Sequence, residues 1–366
     1  MPAVQPPSKV LVSGANGYVA VWVVRSLLEK GYSVRGTVRS AEKGKHLQEL
    51  FKSYGDKHEV VEGAFDDAVK GVDAIEHTAS PFHFRSEEPD DFIRPAVDGT
   101  VGILKSALKY GSSVKRVVVT SSTAAILQDS TTSPPTPQFF SELDFNEQAE
   151  HFVKTQGKAA APAHKYRASK VLAEKAAWAF VKENNVGWDL VVINPPYVFG
   201  PPIHSVLKVE DLNTSTADWY NTALTKEPTT NAPATLTAGS SWIDVRDLGA
   251  AHVAALATPQ AGGERLIISA GPFVWQDWSK NFNVVNALPK DVLAKLADPS
   301  GIPTGDPVHD RSHPETVTLI TYKTEKATRI LGMGPSQQAH GEGFTAYRTM
   351  KESAEGMVQN FASRGW

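Results

Sequence analysis

Residues 9–31 read KVLVSGANGYVAVWVVRSLLEKG. The apolar run KVLV passes at once into small residues, and these into a helix-periodic stretch that closes at Gly31. Strand, glycine turn and helix in that order constrain the chain more than any other feature does. Small residues at such a turn let backbone approach a ligand closely, and a helix N-terminus offers unpaired N–H groups to an anion. Gly14, Gly17 and Ala20 stand three apart, in a GxxGxxA frame that departs by one residue from GxGxxG. The pattern points to a diphosphate; a tight turn without a ligand is the other reading of the same letters.

The alternation continues. Strand signals fall at 9–14, 32–40, 58–63, 71–80, 114–122 and 188–202, with helix patterns at 18–31, 41–55, 90–111 and 164–185. Residues 124–163, rich in Pro, Thr, Ser and Ala, read as an irregular excursion. Strands alternating with helices predict an α/β fold, a Rossmann doubly wound parallel sheet covered on both faces. The period weakens after residue 200 and returns at 241–256 and 265–271. The expected division is a flexible tail at 1–8, a dinucleotide-binding Rossmann domain at 9–202 plus 241–272, and a smaller substrate-binding region at 203–240 plus 273–366.

Composition removes several classes of function. The 366 residues are 41% hydrophobic and 21% charged, with a net charge of −3, so no basic surface advertises nucleic acid or membrane. There is no cysteine, hence no disulfide, thiolate metal site or thiol nucleophile. The 11 histidines show no HExxH spacing, and no metal is expected. The opening MPAVQPPSK has no apolar core of a signal peptide, and Arg25 and Glu29 interrupt the most apolar helix pattern. A cytoplasmic location is the expectation.

The second strand ends GTVRS. It carries no Asp or Glu to read ribose hydroxyls, while Arg39 and Lys43 suit a 2′-phosphate, which favours NADP over NAD. Two solvated surface charges are the plainer alternative. Tyr166 and Lys170 lie four apart on one helix face. A phenol with a reference pKa of ~10 needs help to act near neutrality, and a nearby ammonium together with a positive nicotinamide lowers it. Ser122, at the end of the fifth strand, is placed to hydrogen-bond a carbonyl oxygen under reduction.

With these parts in order, the chain resembles an extended short-chain dehydrogenase/reductase. Within that family it is similar to the fungal NADPH-dependent methylglyoxal and aldehyde reductases (ketoreductases) related to plant dihydroflavonol reductases. The segments that carry the resemblance are SGANGYVA, RSAEK, HTASPF, RVVVTSS, YRASKVLAEKAAW, NPPYVFGP, LNTS, WIDVRD and RLIIS, from residue 9 to about 270.

The resemblance implies NADPH as cofactor and a small-molecule aldehyde or ketone as substrate. Gly14, Ala15, Asn16, Gly17, Tyr18 and Val19 would hold the diphosphate, and Arg39 and Lys43 the 2′-phosphate. Thr78, Ala79 and Ser80 would also line the cofactor. Ser122, Tyr166 and Lys170 would be catalytic, Tyr166 giving the proton and Lys170 also binding the nicotinamide ribose. Pro195 to Val198 and Ser215 would follow the nicotinamide half. Phe82, Thr123 and Tyr197 would form substrate wall, with ordinary core packing as the other reading of Phe82 and Tyr197. Two other functions stay open: a sugar-nucleotide epimerase or dehydratase, which shares this machinery and keeps NAD bound, and a non-catalytic NADP-sensing protein on the same fold.

Three positions depart from the family pattern. The connection at 62–66 is short where an Asp normally meets adenine, leaving Glu62 or Phe65 to substitute. Asp98 stands where Asn is common, which would alter a proton relay. Thr123 replaces a larger residue beside the carbonyl. Helices 90–111 and 164–185 either form a dimer interface or pack within one chain, so monomer and homodimer both stay open.

Overall fold

The computed structural model describes residues 3–80, 87–132, 136–225, 233–279, 288–296, 302, 303, 305, 320–339 and 343–366. Its strands are β1 (Lys9–Ser13), β2 (Ser33–Val38), β3 (His58–Glu62), β4 (Ala74–His77), β5 (Arg116–Thr120), β6 (Gln138–Phe140) and β7 (Asp189–Asn194). Further along come β8 (Tyr197–Phe199), β9 (Gly239–Asp244), β10 (Arg265–Ile267), β11 (Gly271–Val274), β12 (Ile320–Tyr322), β13 (Met333–Gly334) and β14 (Thr345–Ala346).

Seven of them form one parallel sheet in the order β10-β7-β5-β4-β1-β2-β3. The chain runs outward from β1 to β3 on one side, then returns to β4 beside β1 and runs outward the other way. Beyond the carboxyl ends of β1 and β4 this reversal opens a crevice, the usual ligand position in such sheets. Ser13 pairs with His77 in register, so the SGANG turn and the HTAS turn lie side by side.

Alternating side chains of β1 show why both faces must be covered. Val10 and Val12 enter one core with the Tyr18–Glu29 and Val245–Ala257 helices; Leu11 enters another with the Asp90–Tyr110 and Pro162–Glu183 helices. These last two helices pack against each other within the chain.

A third core gathers distant segments around Phe199, Trp219, Trp242, Phe273, Trp278 and Phe361. It sits under a three-stranded sheet, β11-β9-β8. Not all of 273–366 joins it, because Ala327, Met333 and Tyr347 pack into the first core instead.

The local readings differ in two places. Within 124–163 there is a helix, Glu147–Gln156, whose N-cap Asn146 side chain accepts from the Ala149 N–H. There is also β6, which pairs with β12 almost two hundred residues later; pairing at that range leaves no local signature. The N-terminal residues expected to be a flexible tail are fastened from Val4 onward. Val4 is 1% exposed, its N–H donates to the Leu256 carbonyl at 3.0 Å, and its carbonyl accepts from the Tyr32 hydroxyl at 2.8 Å.

Candidate active site

The glycine turn is shaped by what it must avoid. Gly14 has a φ of +62°, and a Cβ there would stand 3.0 Å from the Ala79 Cβ. Gly17 precedes the Tyr18–Glu29 helix, and a Cβ there would stand 3.3 Å from the Gly14 carbonyl oxygen. The turn is pinned by Ala15 N–H to the Thr37 carbonyl (2.9 Å) and Gly14 N–H to Thr37 Oγ1 (3.2 Å). Among the described residues no side chain caps the helix that follows. A narrow backbone cradle with uncapped N–H groups fits a diphosphate.

Asn16 and Val19 are half-buried at this turn. Tyr18 contributes only backbone there: its side chain is buried and its hydroxyl donates to the Gly200 carbonyl at 2.8 Å. On the β4 side, Thr78 donates to the Ser13 carbonyl (2.5 Å), the Ala79 N–H donates to Ser13 Oγ (3.1 Å), and Ser13 Oγ meets His77 Nδ1 at 2.9 Å.

Past the end of β2, Arg39 and Lys43 are exposed, and among the described residues neither side chain has an ion pair or hydrogen-bond partner. Glu62 is occupied at this edge, its carboxylate accepting from the Ala41 N–H at 2.8 Å. Phe65 presents its ring edge-on to His77 at 6.1 Å.

Ser122, Tyr166 and Lys170 converge at the crevice. Ser122 lies two residues past β5, where its hydroxyl accepts from the Ala124 N–H at 3.1 Å and donates weakly to the Pro195 carbonyl at 3.4 Å. Tyr166 and Lys170 come from successive turns of the Pro162–Glu183 helix. Burial pushes the Tyr166 phenol up to about 12, partly offset by a hydrogen bond with Ser122 and reinforced by Tyr197. Burial moves Lys170 the opposite way, down to about 8, against the pull of Glu174. The lowering of Tyr166 expected from Lys170 is therefore not seen in the protein by itself. The Lys170 ammonium donates to Ser80 Oγ at 2.8 Å and stands 5.8 Å from the Tyr166 ring centre, so its field does not outweigh desolvation.

Behind the trio lies a polar layer that the sequence reading missed. Glu174, one more turn along the helix, is 1% exposed. It accepts from Ser121 Oγ (2.6 Å) and Asn194 Nδ2 (2.8 Å) and pairs with Arg265. The Asn194 amide also donates to the Ser122 carbonyl at 3.1 Å, tying this network to the serine's backbone. A carboxylate four residues after a candidate lysine, on one helix stripe, was the available signal. A small recess opens here, lined by His77, Ser80, Thr100, Ser121, Lys170 and Glu174. Asp98 is not part of it: that side chain is exposed, and Ala96 and Thr100 face the recess from the same helix.

On the remaining side, Ser215 Oγ donates to the Val198 carbonyl at 2.7 Å, and the Pro195 carbonyl accepts from the Thr123 N–H at 2.9 Å. Thr123 is buried, with its side chain near the Tyr322 hydroxyl. Tyr197 is 37% exposed and part of an aromatic set, with ring centres of Phe199, Trp275 and Phe273 at 5.8, 5.9 and 6.1 Å. Phe82 lies outside the described residues.

The family model for the NAD dependent epimerase/dehydratase family matches residues 10–271. The chain belongs to that family. It is 36% identical over 327 residues to the ketoreductase azaE of Aspergillus niger, covering 86% of this chain and 93% of that protein. It is also 36% identical over 337 residues to the putative NADPH-dependent methylglyoxal reductase GRP2 of Candida albicans, covering 88% and 93%. Among solved structures, Gre2 of Candida albicans in complex with NADPH superposes with a TM-score of 0.77 at 31% identity, over 98% of this chain and all of that one. Membership of the extended short-chain dehydrogenase/reductases, and the doubly wound fold expected from the alternation, follow from these matches and the sheet order. Among the described residues no helix is long and apolar enough to cross a membrane.

Proposed function

We propose that this chain is an NADPH-dependent reductase of aldehydes or ketones, with Ser122, Tyr166 and Lys170 as its catalytic residues. The observation that carries the reading is their convergence at the crevice where the strand order reverses, beside a glycine cradle that a diphosphate fits. NADPH, when bound, supplies the hydride. Gly14 to Val19 would hold its diphosphate, Arg39 and Lys43 its 2′-phosphate, and Thr78 to Ser80, Pro195, Val198 and Ser215 the remaining length.

Tyr166 gives its proton to the carbonyl oxygen as negative charge develops there. A phenol held near 12 keeps that proton at neutral pH, and the Ser122 hydroxyl orients the substrate oxygen toward it. Lys170 carries positive charge beside the phenol, stabilising the phenolate left behind. Glu174 fixes the far end of the same helix stripe through Ser121, Asn194 and Arg265. The relatives' names, a ketoreductase and methylglyoxal reductases dependent on NADPH, support this choice over a sugar-nucleotide enzyme.

The same reading divides the chain into the cofactor domain and substrate region stated above. It also gives the chain a cytosolic address and a free small-molecule carbonyl as partner. The test is Tyr166→Phe with methylglyoxal and an aryl ketone. Turnover should fall at least about a thousandfold while NADPH still binds with near wild-type affinity. Retained turnover would remove Tyr166 from the mechanism.

A further inference from the structure

The wall opposite the catalytic trio contains a carboxylate that the reaction does not use. Asp218 lies on the Thr214–Ala223 helix, three residues after Ser215 and hence on the same face. Because Ser215 Oγ is bonded to the Val198 carbonyl, that face is held against β8 and so toward Tyr197. Asp218 and Tyr197 feel one another electrostatically, and Tyr197 in turn acts on Tyr166. Asp218 is half-buried, yet among the described residues it has no hydrogen bond and no ion pair. Arg167, the cation that also acts on Tyr197, is already committed to Asp129 at 2.7 Å.

A charge taken partly out of water without a partner is costly, and a protein surface normally resolves it by pairing or exposure. Here burial alone raises the carboxyl to about 6, so it is mostly ionised at neutral pH. Tyr197, which feels that charge, is a partly open ring, and a second partly open ring, Trp275, stands 5.9 Å from it. The short helix that begins at Trp275 packs on the helix of Asp218. A lone carboxylate beside aromatic faces is the chemistry that recognises an organic ammonium.

Resting on the reductase reading, we propose that Asp218 selects among carbonyl substrates, favouring those whose far end carries a protonated amine and rejecting those that carry a carboxylate. The site's own electrostatics supply both arms of that selection, attraction and repulsion.

The test compares three ketones of similar shape, 4-(aminomethyl)acetophenone, 4-methylacetophenone and 4-acetylbenzoate, in wild type and in the isosteric Asp218→Asn. In wild type, kcat/KM for the ammonium compound relative to the carboxylate should be at least about tenfold, the scale of one charge-assisted contact. In Asp218→Asn that ratio should collapse toward unity, with the methyl compound as the reference within each protein. A ratio that does not move on substitution overturns the proposal. The corresponding 1-phenylethanols, titrated by tryptophan fluorescence on wild type and Asp218→Asn, decide the same point by binding. If no ketone is reduced at all, the reductase reading fails, whereas the binding order still judges Asp218.

Discussion

The two halves that enclose the crevice are built from different materials. The core beneath the cofactor turn is mostly aliphatic, with Val10, Val12, Val21, Val24, Leu27 and Leu248 all at zero exposure. The core beneath the substrate wall is aromatic: Phe199, Trp219, Phe273, Trp278 and Phe361 are likewise fully buried. The first builds on the strands and helix of residues 10–38 and is closed by the Val245–Ala257 helix and by Ala327, Met333 and Tyr347. The second is assembled from residues as far apart as Phe199 and Phe361, whose rings meet mainly edge to face. β-Branched and aliphatic side chains suit a generic sheet that any cofactor-binding relative can share. Large flat rings fix a particular cavity shape, because few rearrangements preserve their packing.

The strongest test of that contrast is Trp278→Ala. Its ring centre lies 5.2–5.8 Å from those of Trp242, Phe199 and Trp219, so truncation should cost about 3–5 kcal/mol in denaturant unfolding. If the halves are energetically distinct, NADPH affinity should change by less than about threefold while substrate KM rises. Affinity falling in step with stability would make the two cores one unit.

The cofactor half is probed more gently by replacing Arg39 and Lys43 together with Ala. Both are exposed, so unfolding should be untouched, while the titrated affinity for NADPH should drop about ten- to a hundredfold and that for NADH should not. Equal losses for both cofactors would take the 2′-phosphate away from these residues.

The smallest effect belongs to Asp98→Asn. With the side chain exposed on the Asp90–Tyr110 helix, stability should stay within about 0.5 kcal/mol and kcat within about twofold. A large change in the pH profile would return this position to the proton path.

The legible and illegible parts divide along the same line. The turn at 14–20, the pair Tyr166 and Lys170, and Ser122 could be read because the roles proposed for them depend on spacing within one strand end or one helix. The Glu174 network could not, since Ser121, Asn194 and Arg265 reach it from β5, β7 and β10, and only the sheet order brings those strands together. Thr123 shows the converse case: its position next to Ser122 suggested room beside the carbonyl, yet the side chain is buried against Tyr322, a residue delivered by the β12–β6 pairing. Tyr18 shows a finer split, with backbone at the turn and a hydroxyl committed to Gly200.

By itself the sequence determined the parallel α/β sheet, the position of the glycine cradle and the identity of the three groups at the crevice. Hydrophobic period, turn chemistry and helical spacing are local, and local rules suffice for them. Only the tertiary structure decided which polar side chains are buried and which stay free. Asp98 turned outward to water, Glu174 inward to three partners, and Asp218 came to rest half-buried within the field of Tyr197, with no partner among the described residues. Burial and pairing are properties of what packs around a residue, and those neighbours come from the far end of the chain.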